Sequence, residues 1–233
     1  VSGINVDVIR KDIKNLHIGV YPPNGRVRVA APLIMDQGAI RLAVIQKLGW
    51  IKRQQEKFAA QPRQSQREMV SGESHYFLGR RYRLHVREHD SHPSINLRGI
   101  THLELSVQPG MSTEQRESIL SGWYHEQLEE LVLPILEKWQ STLSVQVAGW
   151  GIKKMKTKWG SCKASAKYIW FNLELAKKPI RCIEYIVIHE LLHLLEARHS
   201  EQFTALLSLH FPNWRQCQNI LNEMPLGHDV WDE

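Results

Sequence analysis

Three segments near the N-terminus alternate apolar with polar residues or are rich in β-branched ones: VDVIRK (6–11), LHIGVY (16–21) and RVRVAAP (26–32). A period of two puts successive side chains on opposite faces, so the pattern predicts three strands, the last two joined by a turn at 22–25. From Asp36 to about Phe58 the period changes. Ile40, Val44, Leu48, Ile51 and Phe58 fall on one stripe of a 3.6-residue repeat, with Ile45 at its edge, and Asp36 can cap the first turn. One helix is predicted there. The polar stretch 59–74 reads as a connection, HYFLGRRYRLHVRE (75–88) as two strands around Gly79, and LELSVQP (103–109) as another strand.

Ser112 with Gln115 makes a capping box, which opens a helix carrying Ile119, Leu120, Trp123, Leu128, Leu131 and Ile135. Pro134 is expected to kink or end its last turn, and Trp123 and Tyr124 are expected in packing. LSVQVAG (143–149), KMKTKWGSC (154–162) and KYIWFNLEL (167–175) predict strands, the last two paired through KASA (163–166). A helix over roughly 180–197, one from Ser200 and one from about Pro212 to Glu223 complete the chain. The expected fold class is α+β. The domain boundary is placed between 60 and 112 and drawn as a strand-rich region 1–111 with one long helix, followed by an α+β domain 112–233.

Composition changes this picture little. At 233 residues and 42% apolar content the chain can bury a core without disulfides, and it has no apolar run long enough to span a membrane. The stretch VSGINVDVIRK has no apolar core before a small-residue cleavage site, so no secretory leader is expected in it. Cys162, Cys182 and Cys217 are odd in number and widely spaced, which argues against a disulfide framework and for a reducing, cytoplasmic setting. A formal charge of +6 favours an anionic partner without identifying one. The strip 153–167 concentrates Lys153, Lys154, Lys156, Lys158, Lys163 and Lys167 around Trp159, with Tyr168 and Trp170 just beyond. It can be a phosphate-contacting strip with stacking aromatics, or a solvated lysine face over a buried aromatic one.

The chemistry concentrates in IHELLHLLEARHS, from Ile188. Positions i and i+4 share one helix face, so His189 and His193 can aim two imidazoles at one point. Glu190 lies beside them, able to reach a metal-bound water without being a ligand. His199 can supply a third nitrogen if the helix ends near Ala197 and Arg198 and the chain turns back, with Ser200 capping the next helix. Three imidazoles would leave a fourth position for water, the arrangement of a catalytic zinc site. A helix so apolar, with Ile183, Ile186, Val187, Leu191, Leu194 and Leu195, buries these polar groups, and burial without ligation or pairing is costly.

MKTKWGSC (155–162), IWFNLELAKKP (169–179), IEYIVIHELLHL (183–194) and HSEQF (199–203) together resemble the YgjP-like family of zinc-dependent metallopeptidases, and more distantly the SprT-like proteases and other compact zincins. The resemblance implies a compact zincin-like domain, one Zn2+ or another divalent metal on His189, His193 and His199, and Glu190 as general base acting on a peptide or protein substrate. It also implies that Trp159, Gly160, Ser161 and Cys162 shape the cleft rim and that the neighbouring strand edge pairs with an extended peptide. For one branch it implies hydrolysis of uridine triphosphate instead, with the lysine strip meeting the phosphates. The SprT-like likeness adds a DNA-associated protease as an alternative, and a binding module with a structural metal remains a further one. Asn172 and Glu196 are candidates to hold the ligand imidazoles from behind, and Cys162 as a fourth ligand would close the site. Tyr168, Arg198, Ser161 and His210 are candidates to stabilise the oxyanion, although a helix-terminal role is the simpler one for His210.

Overall fold

In a computed structural model of the chain, residues 3–21, 25–60 and 67–223 are described. The expected turn at 22–25, apart from Gly25, lies outside them, as do the middle of the 59–74 connection and the Phe58 side chain. The chain divides into two compact units, Val1–Arg63 and Gln64–Glu233. The division at 63/64 lies inside the expected window of 60–112, near its start, so that residues 64–111 belong with the second unit. The physical reason is that the apolar faces of the strands between 74 and 107 pack into the same core as the C-terminal helices.

The first unit holds strands β1 (Val6–Lys11), β2 (His17–Tyr21) and β3 (Arg26–Pro32) in the order β1-β3-β2, with β1 and β3 parallel and β2 antiparallel. The alternation of β3 fixes its face: Val27, Val29 and Ala31 are fully buried while Arg26 and Arg28 are exposed. Helix α1 (Gln37–Gln46) is capped by Asp36, whose carboxylate accepts from the Ala39 N–H at 2.9 Å. The single predicted helix is two, because the chain breaks at Lys47 and resumes as α2 (Leu48–Ala60). Ile40 and Val44 before the break and Ile51 after it join one small core with β3, so both helices still share the predicted stripe.

The second unit contains a four-stranded sheet: β4 (Ser74–Phe77), β5 (Arg80–Glu88), β6 (Ser94–Arg98) and β7 (His102–Val107), ordered β4-β5-β7-β6. Its inner face carries Phe77, Tyr82, Leu84, Leu103 and Leu105 into the core. Helix α3 (Thr113–Leu143) packs there, opened by the reciprocal Ser112–Gln115 capping box. Leu120, Tyr124, Leu128, Val132, Leu136, Trp139 and Leu143 form its buried stripe. Pro134 does not end the helix. It sits on the exposed face with Glu130, so the carbonyl that loses its partner can be satisfied by water while the stripe on the other side continues.

A second sheet has the order β8-β10-β9, with β8 (Gly149–Lys153) parallel and β9 (Gly160–Lys163) antiparallel to β10 (Tyr168–Asn172). β9 and β10 pair through the predicted turn, which is a 3-10 turn at Ala164–Ala166 closed by Lys167 in the left-handed region. Three helices follow: α4 (Ile180–Leu192), α5 (Glu201–His210) and α6 (Trp214–Glu223). α4 is the centre of this core, with Ile183, Val187, Ile188, Leu191 and Leu192 fully buried. Each such side chain contributes roughly 1.5–3 kcal/mol of burial free energy. Among the described residues no helix is long and apolar enough to cross a membrane.

Candidate metal centre

α4 ends earlier than the sequence pattern predicts, at Leu192 and not near Ala197. Its last turn relaxes into tighter bonds, Leu194 N–H to Leu191 O at 3.0 Å and Leu195 N–H to Leu192 O at 2.9 Å, and the chain turns away from the helix axis. His189 and His193 still share one face of the final turn, because His193 is the C-cap residue with helical φ and ψ. Six residues later the turn returns His199, and Ser200 starts α5 by accepting from the Phe203 N–H at 3.2 Å.

The result is convergence. His189, His193 and His199 offer one nitrogen each within 4.8 Å of one another, and the Nε2 atoms of His189 and His199 are 3.0 Å apart. Zn–N bonds of about 2.0–2.1 Å in a tetrahedron place ligand nitrogens about 3.3 Å from each other, so the cluster is of the right size. Phe203, almost fully buried, lies under all of them, its ring centroid 5.0, 4.8 and 4.9 Å from those of His189, His193 and His199. Nδ1 of His193 faces the backbone carbonyl of Glu196 at 3.2 Å, which leaves its Nε2 for the centre. Nδ1 of His189 is buried without a hydrogen-bond partner among the described residues, so that ring is oriented by packing against Tyr185 and Phe203.

The electrostatics suit a metal. Burial, and then the neighbouring imidazoles of His193 and His199, push the His189 ring down to about 3. Burial also lowers His193. Neutral imidazole is the form that binds a metal ion; burial favours that form in His189 and His193, and all three rings converge, so the donor set fits a divalent ion.

Glu190 is buried at the wall of the same cleft, an opening of about 530 Å3 lined also by Lys158, Gly160, Ser161, Tyr185 and the three histidines. Burial pushes its carboxyl up to about 8, against the Lys158 ammonium and the Cys162 backbone N–H, both of which favour the anion. The carboxylate lies directly on Gly160: a Cβ there would sit 2.5 Å from Oε1.

A family model for the YgjP-like metallopeptidase domain matches residues 14–224. The chain belongs to the YgjP-like metallopeptidase family. Membership makes it a metal-dependent hydrolase, and the family's peptidase chemistry implies a peptide or protein substrate. No curated protein matches the chain.

Within this YgjP-like domain the other expected residues separate. Trp159 and Ser161 line the cleft. Glu196 stands behind His193, but through its backbone carbonyl; its carboxylate instead accepts from the Arg198 N–H at 3.2 Å and so shapes the turn. Asn172 is not behind a histidine. Fully buried, it donates from Nδ2 to the Met155 and Lys158 carbonyls at 2.8 and 2.7 Å and accepts on Oδ1 from the Met155 and Glu174 N–H groups, fastening the loop that precedes β9. Tyr168 is turned away, its hydroxyl donating to the Trp150 carbonyl at 3.0 Å. His210 packs edge-on against Trp139, 6.2 Å between centroids, and does not line the cleft. Cys162 lines the cleft, but its thiol is not part of the histidine cluster.

Four contributors were not read from the sequence. Phe203 sits in the HSEQF segment, yet an apolar residue in the first turn of a helix carries no mark of a role beneath a metal site. Tyr185 and, from α6, Gln218 and Asn222 line the cleft, and their approach depends on tertiary packing of α6 against α4.

Proposed function

We propose that the chain is a zincin-like peptidase that uses one Zn2+, or another divalent ion, on His189, His193 and His199. Bound there, the ion supplies Lewis acidity toward a water molecule and the scissile carbonyl. Glu190 takes the proton from the attacking water and delivers it to the departing amine nitrogen, so the carboxylate acts first as base and then as acid. Gly160 and the Cys162 N–H hold that carboxylate in place from the strand side, and Lys158 presents a cation at the mouth. β9 is an edge strand of its sheet and borders the cleft, so an extended peptide can add to it through backbone hydrogen bonds.

The observation that carries this reading is the shared cleft: three converging imidazoles, a buried carboxylate and an edge strand line one opening. Of the lysine strip, Lys158 alone lines that cleft. Lys153 lies over the Trp170 ring and Lys154 pairs with Glu117, so the site offers one cation where a triphosphate would need several. This favours peptides over nucleoside triphosphates. All the cysteines are unpaired, which fits a reducing, cytoplasmic compartment.

Parallel assays on unfolded polypeptide and on nucleoside triphosphates, with Glu190→Gln as the control, test the proposal. Peptide-bond cleavage that is lost in Glu190→Gln is expected. Release of pyrophosphate without peptide cleavage would overturn it.

A further inference from the structure

The sheet β4-β5-β7-β6 has one face in the core and one in solvent, and the solvent face is arginine-rich. The pleat sends Arg81, Arg83, His85 and Arg87 of β5 outward, while Tyr82 and Leu84 point inward. The register continues the pattern across the sheet. Arg83 lies opposite His102 of β7, and His102 lies opposite Arg98 of β6. One carboxylate, Glu104, stands on this face, and it is already engaged by Arg98 at 2.9 Å and Arg87 at 3.4 Å. Arg81 and Arg83 have no carboxylate partner among the described residues.

Like charges on neighbouring strands weaken a sheet, and an ordinary solvated face interleaves the two signs. This face does not. Its cations are also all of one kind: segment 74–107 contains five arginines and no lysine, whereas 153–167 contains lysines and no arginine. The planar guanidinium forks two bonds to a phosphate and is weakly hydrated, which suits it to a repeating phosphate chain. Two residues along a strand span about 6.7 Å, so the outward side chains of Arg81, Arg83, His85 and Arg87 recur at a regular spacing along β5.

We infer that the outer face of β4-β5-β7-β6 binds the phosphodiester backbone of a nucleic acid. The contact is to phosphates, without base recognition, and it is separate from the cleft, so it holds whether or not the peptidase reading does. The apolar side chains of β5 and β7 are turned into the core, so on these two strands the outward positions are polar or charged. An acidic protein surface would lack the regular charge repeat.

Fluorescence anisotropy of a labelled uridine oligomer and of a duplex DNA of matched length, each over a salt series, tests this. The full chain is expected to bind at least one of them in a salt-sensitive way, and the two arms report whether the backbone is single- or double-stranded. Combining Arg81→Gln, Arg83→Gln and Arg87→Gln is expected to weaken binding at least tenfold. The salt slope should become shallower by about 2–3, the counterions released by three phosphate contacts. Lys163→Gln with Lys167→Gln, on the other sheet, is expected to leave binding unchanged. Circular dichroism reports whether the triple variant folds. If it does not, the single changes Arg81→Gln and Arg83→Gln, which break no ion pair among the described residues, give the same test at smaller amplitude. No binding to either nucleic acid, affinity unchanged by the arginine changes, or binding to phosphatidylserine vesicles in place of nucleic acid would overturn the inference.

Discussion

Gly160 and Glu190 touch: a methyl group on Gly160 would come within 2.5 Å of Oε1 and 2.7 Å of Cγ of the glutamate. The strand can therefore run past the carboxylate only because residue 160 has no side chain. Gly160→Ala is expected to displace Glu190 while leaving the histidine cluster intact. Since a misplacement of about 1 Å can cost about 100-fold in rate, a loss of that order in kcat/KM with unchanged metal content is predicted. Steady-state kinetics beside metal analysis would check it.

His199 reaches the centre from outside the helix, held by the turn at 194–198 and the Ser200 cap. His199→Ala is predicted to lower metal affinity at least 100-fold, because two ligands on one helix turn remain where three converged. Competition with a chromophoric chelator measures this, and the helical circular dichroism should stay as it is.

How far the site could be read before the fold was known depends on what each residue obeys. His189, Glu190 and His193 follow from helix periodicity, and the return of His199 follows from the capping residue at Ser200. Those rules are local. Asn172, a candidate partner for a ligand imidazole, is placed by rules that are not local: its four hydrogen bonds go to a loop 14 to 17 residues earlier and to its own turn. The strand expected at 143–149 begins instead at Gly149. Gly149 and Gly151 have low strand propensity, yet they belong there because the rings of Tyr168 and Trp170 lie on them, leaving 2.7 and 2.6 Å to a would-be Cβ. β6, short and with no clear alternation, took its pairing from β7.

Asn172→Ala would leave the Met155 and Lys158 carbonyls and the Met155 N–H without their partner in a buried setting. A loss of about 2–3 kcal/mol is predicted, in keeping with buried polar groups left unsatisfied. Urea denaturation gives the value. Because Lys158 is presented by the same loop, KM is expected to rise in the variant even at temperatures where it is folded.

His75 is nearly fully buried in β4, with Nε2 at 3.2 Å from Glu73. Burial and the Arg67 charge, partly opposed by Glu73, hold its ring down to about 4, below the ordinary 6.5. The unfolded chain thus takes up a proton before the folded one. This contribution to stability is present above pH 6.5 and is lost as pH falls toward 4, by about 2 kcal/mol between pH 7 and pH 5. Denaturation midpoints across that window should fall for the native sequence and fall less for His75→Gln.

The proposed hydrolysis needs three imidazoles sharing one ion beside Glu190. X-ray absorption at the zinc edge of the purified, zinc-loaded protein tests that most directly, since it counts ligands by type and distance. The prediction is three imidazole nitrogens and one further light atom at about 2.0–2.1 Å. A sulfur at about 2.3 Å, or fewer than three imidazoles, would contradict it.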